Sequence, residues 1–90
     1  LDPGFQLEIL GILQQLNRKG KTIVIVLHDL VHALSLANRV ILMASGQILS
    51  DMSPRALVES HLIDQVFGVS LQHHELGSET LYAIRPLPTD

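Results

Sequence analysis

The stretch TIVIVLHDL, Thr22 to Leu30, carries the reading of this chain: the apolar run Ile23 to Leu27 leads straight into His28 and Asp29. A short run that is apolar at every position predicts a strand covered on both faces, because a strand with one wet face alternates apolar with polar residues. In an open parallel sheet, ligands bind beyond the carboxyl ends of the strands. His28 stands at such an end. It is either presented there to a ligand or, in the plainer reading, half-buried and satisfied by a carbonyl.

The flanking residues punctuate the chain clearly. Asp2-Pro3 predicts a helix start, the carboxylate capping free N–H groups and the proline fitting the first helical position. Phe5, Ile9, Ile12, Leu13 and Leu16 then share one helical face, and Gly20 supplies a left-handed stop, so a helix over roughly 3–18 is predicted. Downstream, Asp29 caps a shorter helix bearing Leu30, Ala33, Leu34 and Ala37, which Asn38 ends. RVILMASGQIL, Arg39 to Leu49, predicts two strands around a Ser45-Gly46 turn. Ser53-Pro54 opens a further helix, whose apolar stripe continues to Gly68 with a break near Ser60. From Val69 the expectation is a short strand, a polar loop HHELGSET (His73 to Thr80), a strand at Leu81–Ile84 and the closing RPLPTD.

This order predicts an α/β fold in which the Thr22–Leu27 strand and the strand after Arg39, joined by a helical crossover, lie parallel. Such a strand needs a neighbour on each side and helices above and below. Ninety residues with two or three candidate strands are too few to supply them, so part of the sheet is expected to lie outside this chain. The chain begins with Leu, which accords with a processed product, an excerpt or the end of something longer.

Composition narrows the function classes. The chain is 47% hydrophobic and 17% charged with no cysteine, which excludes a disordered segment and a disulfide scaffold. A net charge of −3 without a basic stripe argues against a nucleic-acid partner. No apolar run approaches the ~20 residues needed to cross a bilayer and no signal-like segment opens the chain, so a soluble chain is expected.

Three motifs invite chemistry. KGKT, Lys19 to Thr22, resembles the end of a phosphate loop, but the first glycine would fall at Gln15 and the segment precedes a strand instead of following one. It reads as turn chemistry after a helix stop. HDLVH spaces His28 and His32 as in zinc proteases, yet His28 ends a strand and the middle acid is Asp29, so convergent rings are not expected. His73-His74-Glu75 reads as a solvated loop, since metal sites are assembled from spaced ligands. No metal site is predicted.

Taken in order, LDPGFQLEILGILQQLNRKGKTIVIVLHDLVHALSLANRVILMASGQIL resembles the final third of the ATP-binding subunit of ABC transporters, in wording nearest to importers of iron–siderophore, haem and cobalamin type. Leu1-Asp2 looks like the end of the D-loop, VLHDL like the switch-histidine loop, and SPRALVESHLIDQVFGV is similar to the trailing helical segment of the iron-importer branch. Such proteins usually carry Asp where Asn38 stands and Gly where Met52 stands, positions that do not touch nucleotide.

The resemblance implies a division into 1–68, the carboxyl-terminal part of a P-loop ATPase domain with an incomplete parallel sheet, and 69–90, a small β tail. It implies that His28 donates to the γ-phosphate of ATP and to the attacking water, as a catalytic and nucleotide-binding residue, and that Asp2 lines the dimer interface beside the nucleotide. Imidazole titrates near neutrality, which suits a group that relays charge beside phosphate. The phosphate loop, Gln loop, signature and catalytic Glu would all lie upstream of Leu1. ATP and Mg2+ are then cofactors of a complete parent domain, and this chain alone is expected to be inactive. The implied partners are the rest of the domain, a second ATPase copy and a membrane permease at the inner face of the cell membrane. Two other readings stay open: a free-standing small α/β interaction module, and a His-based metal binder.

Overall fold

Asp2 caps the first helix, α1 (Pro3–Arg18), with its Oδ1 accepting from the Gly4 N–H at 3.1 Å. The structure, a computed structural model, describes residues 2–88; Leu1 of the D-loop-like pair and Thr89-Asp90 of RPLPTD lie outside the described residues. Helix α1 ends where Gly20 takes φ +95°, a conformation that costs a residue with a Cβ. Its apolar face is left largely bare. Leu10 is its buried residue, whereas Phe5, Ile12 and Leu16 are exposed and α1 packs extensively on no other element.

Lys21 to Leu27 form neither helix nor strand and join no ladder. The parallel pair expected between this segment and the strand after Arg39 is absent among the described residues, a correction with a simple cause. The strands pair as two antiparallel hairpins, β1 (Val40–Ala44) with β2 (Gln47–Met52) and β3 (Val69–Leu76) with β4 (Glu79–Pro86). Local hairpins need little loop closure, whereas a parallel pair across a crossover needs much more. Val24 and Val26 accordingly stand 88% and 85% exposed.

Between these elements the cap chemistry acts as predicted. Helix α2 (Leu30–Leu36) starts on Asp29, and α3 (Pro54–Ser60) starts on Ser53, whose Oγ accepts from Ala56 N–H at 3.2 Å. The β1–β2 turn places Ser45 and Gly46 both at positive φ, the primed geometry that matches strand twist. The pairing shifts between Leu42↔Ser50 and Met43↔Ile48, leaving Leu49 as an extra residue in the second strand. Arg39 grips Asp51 across the hairpin through Nε and one terminal nitrogen, and that hydrogen bonding holds the Asp51 carboxyl below its ordinary range. The helical stripe breaks at His61, in left-handed conformation at φ +58°, between α3 and α4 (Leu62–Phe67).

The expected loop His73–Thr80 is corrected to strand. β3 runs through Leu76, and β4 begins at Glu79 after the two-residue turn Gly77-Ser78, with Gly77 at φ +62°. Gly-Ser between two extended runs is a hairpin signal that outweighs the polarity of His73, His74 and Glu75.

One core unites the chain from α2 onward. Leu34 of α2, Leu42 of β1, Leu57 and Val58 of α3, Ile63 of α4 and Leu71 of β3 cluster together, with Val69 and Tyr82 packed against them. Leu57 is 0% and Ile63 1% exposed, and each such side chain contributes about 1.5–3 kcal/mol by its burial. Asp64 pins α4 to β3 by accepting from Leu71 N–H at 3.0 Å. Asp64→Ala leaves that part-buried donor unmet, so a loss of about 1.5–3 kcal/mol is expected. Urea unfolding monitored by circular dichroism checks it, and a loss below about 0.5 kcal/mol would contradict it.

Candidate functional site

His28 occupies a bend between the unpaired Thr22–Leu27 segment and α2, with its side chain exposed. No hydrogen bond or ion pair engages that ring among the described residues. It is therefore a presented group. The half-buried, carbonyl-satisfied alternative does not describe it.

Asp29 fixes the turn beside it. Its Oδ1 accepts from Val31 N–H at 3.0 Å and from His32 N–H at 3.2 Å, while its backbone oxygen accepts from Ala33 N–H at 3.0 Å. Two N–H groups at the start of α2 are thus met by one carboxylate oxygen. The other oxygen, Oδ2, lies 3.5 Å from Nδ1 of His32, too far for a hydrogen bond of ordinary strength. That nitrogen is buried without a hydrogen-bond partner.

The two histidines of HDLVH therefore sit on different elements, His28 ahead of the cap and His32 within α2. They do not share the helix that a zinc-protease arrangement needs. In β3, His73 and Glu75 pair with Tyr82 and Thr80, and these side chains line one small recess together with Arg55, Val58 and Glu59 of α3. His74 points to the opposite face, as strand alternation requires. Among the described residues no three His, Asp or Glu side chains come together in a way that could hold a metal ion.

Asp2 and His28 sit at the starts of two different helices, and no hydrogen bond or ion pair among the described residues links them. Each is exposed. Asp2 commits one oxygen to its cap, and the second makes no hydrogen bond among the described residues. Helix-cap patterning located Asp29 and Asp2 from sequence alone. The His73–Tyr82 recess was hidden because its residues come together only when the hairpin forms, although period-two spacing of His73 and Glu75 was a usable signal. No described helix is long and apolar enough to cross a membrane.

Comparison with characterised proteins gives a consistent set. The chain is 37% identical over 70 residues to the ferric enterobactin transport ATP-binding protein FepC of Escherichia coli, covering 77% of this chain and 26% of that protein. It is 37% identical over 71 residues to the hemin import ATP-binding protein HmuV of Rhodopseudomonas palustris, with 79% and 26% covered. It is 50% identical over 54 residues to the energy-coupling factor transporter ATP-binding protein EcfA2 of Mycoplasmopsis synoviae, with 60% and 17% covered. The chain thus spans about a quarter of the length of the first two. No family model matches it, and no solved structure matches it.

Proposed function

From the premise that this chain belongs to the ABC transporter ATP-binding subunits, we propose that it is the carboxyl-terminal part of the ATPase domain powering an importer, and that His28 is its phosphate-facing residue. The observation that carries the reading is the exposed, unengaged His28 ring held ahead of the capped helix α2 at the end of an apolar segment.

A free ring N–H at the end of such a segment donates to an anionic oxygen. It does so without the permanent charge of Lys or Arg, so its interaction grows as negative charge develops. The exposed ring fits a nucleotide phosphate because no group among the described residues hydrogen-bonds or ion-pairs with it. ATP with Mg2+, when bound, supplies the phosphoanhydride whose hydrolysis drives transport. Asp2, with one oxygen uncommitted, takes the place at the interface with a second ATPase copy. Residues 1–68 form the ATPase portion and 69–90 its β tail. The permease places the assembly on the cytoplasmic face of the membrane.

Of the iron–siderophore, haem and cobalamin cargoes, the names of the relatives, ferric enterobactin transport and hemin import, support the first two. The 50% identity over 54 residues to an energy-coupling factor subunit supports a second reading, in which that type of transporter is served. Either way the cargo is chosen by the permease and not by these residues.

A segment exchange tests the reading. Replacing the matching part of FepC with this chain is expected to leave ATP turnover and ferric enterobactin uptake within about tenfold of the parent, the range expected when reacting groups keep their geometry. A folded exchange protein with no turnover would sink it. The 90-residue chain alone, lacking a glycine loop at a strand-to-helix junction, is expected to show no micromolar Mg-ATP binding by calorimetry.

A further inference from the structure

We infer that Asp29 is a positioning residue for His28: its carboxylate ties the chain emerging from the unpaired segment to the start of α2, and so sets where the His28 ring stands relative to the core. The inference rests on the phosphate-facing reading of His28.

The hydrogen bonds along this stretch show why. The last tie on the upstream side is at Lys21, whose N–H donates to Leu16 O at 3.2 Å and whose carbonyl accepts from Asn17 Nδ2 at 2.9 Å. From Thr22 to His28 the backbone makes no hydrogen bond among the described residues. Asp29 is the next fixed point, accepting from Val31, His32 and Ala33 N–H groups. Helix α2 is in turn seated by Leu34, 3% exposed in the core cluster.

Among the described residues, the hydrogen-bonded route from the core to His28 therefore runs through Leu34, α2 and the Asp29 cap. Without the cap the first turn of α2 loses the partner of two N–H groups and frays, and the dihedrals of His28 and Asp29 are freed. A donor that wanders in angle loses most of its hydrogen bond to a reacting oxygen, because such bonds weaken steeply off line. The His32 ring only flanks the carboxylate, at 3.5 Å. The cap uses the backbone N–H of His32, so removing its ring leaves the cap in place.

The test uses a complete ATP-binding subunit carrying this segment, as Asp29→Ala, Asp29→Asn, His28→Ala and the His28→Ala/Asp29→Ala pair. Turnover is read per folded subunit, at a temperature where circular dichroism shows all variants folded. Asp29→Ala is expected to lower kcat about tenfold or more while leaving KM for Mg-ATP within about twofold. Asp29→Asn, which also caps, is expected to restore most of it. In the His28→Ala background, Asp29→Ala is expected to cost nothing further, as required of a residue that acts only through that ring. Parental kcat for Asp29→Ala beside an impaired His28→Ala would overturn the inference. So would an undiminished Asp29→Ala loss in the paired variant. Parental kcat for His28→Ala would instead overturn the phosphate reading, and the inference with it.

Discussion

His28→Ala, in a complete ATP-binding subunit carrying this segment, is expected to lower ATP turnover about 10²–10³-fold, the usual loss when one preorganised donor to developing charge is removed. Folding should be nearly untouched, since the ring is exposed and fills no cavity. His32→Ala is expected to stay near the parent, because its ring makes no hydrogen bond and the Asp29 cap survives its removal. A chelator that leaves Mg2+ in excess should change neither result. Equal, chelator-sensitive losses for both histidines would instead point to a metal held between them. Near-normal turnover for His28→Ala would remove the phosphate role altogether.

The isolated 90-residue chain is expected to self-associate through the Thr22–Leu27 segment. Its accessible surface is 6977 Å², whereas a compact monomer of this mass exposes only about 5,200 Å². Its radius of gyration, 14.1 Å, also exceeds the about 12 Å expected for this length. Part of the excess is the bare face of α1, and part is the apolar Thr22–Leu27 segment, whose backbone makes no hydrogen bond among the described residues. Such an edge templates pairing with another chain. Sedimentation should show an apparent mass that rises with concentration. Val24→Lys with Val26→Lys should return the chain to monomer, because two charges on the most exposed face oppose edge-to-edge pairing. A wild-type monomer at all concentrations would contradict this.

The candidate site was more legible than the sheet. His28, its place after an apolar run and the Asp29 cap beside it could all be read from TIVIVLHDL, because capping and chain direction are set within three or four residues. The buried nitrogen of His32 beside Asp29 was not legible, since burial depends on what packs over α2. The same division runs through the fold. Helix α1 with its stop at Gly20, the Ser45-Gly46 turn and the start at Ser53-Pro54 are each dictated by local sterics and hydrogen bonding.

Sequence by itself determined the helix starts with their caps, the Ser45-Gly46 turn, and the kinship on which the proposed role of His28 rests. Tertiary structure alone decided the remainder: that Leu10 is the residue α1 buries, that β3 continues through His73 and His74, that Asp64 reaches Leu71 N–H, and that Thr22–Leu27 stays unpaired. The physical reason is that capping is satisfied within a single turn of chain. Strand pairing and burial are satisfied only by a distant partner, and a strand pattern such as IVIVL states the need for one without supplying it.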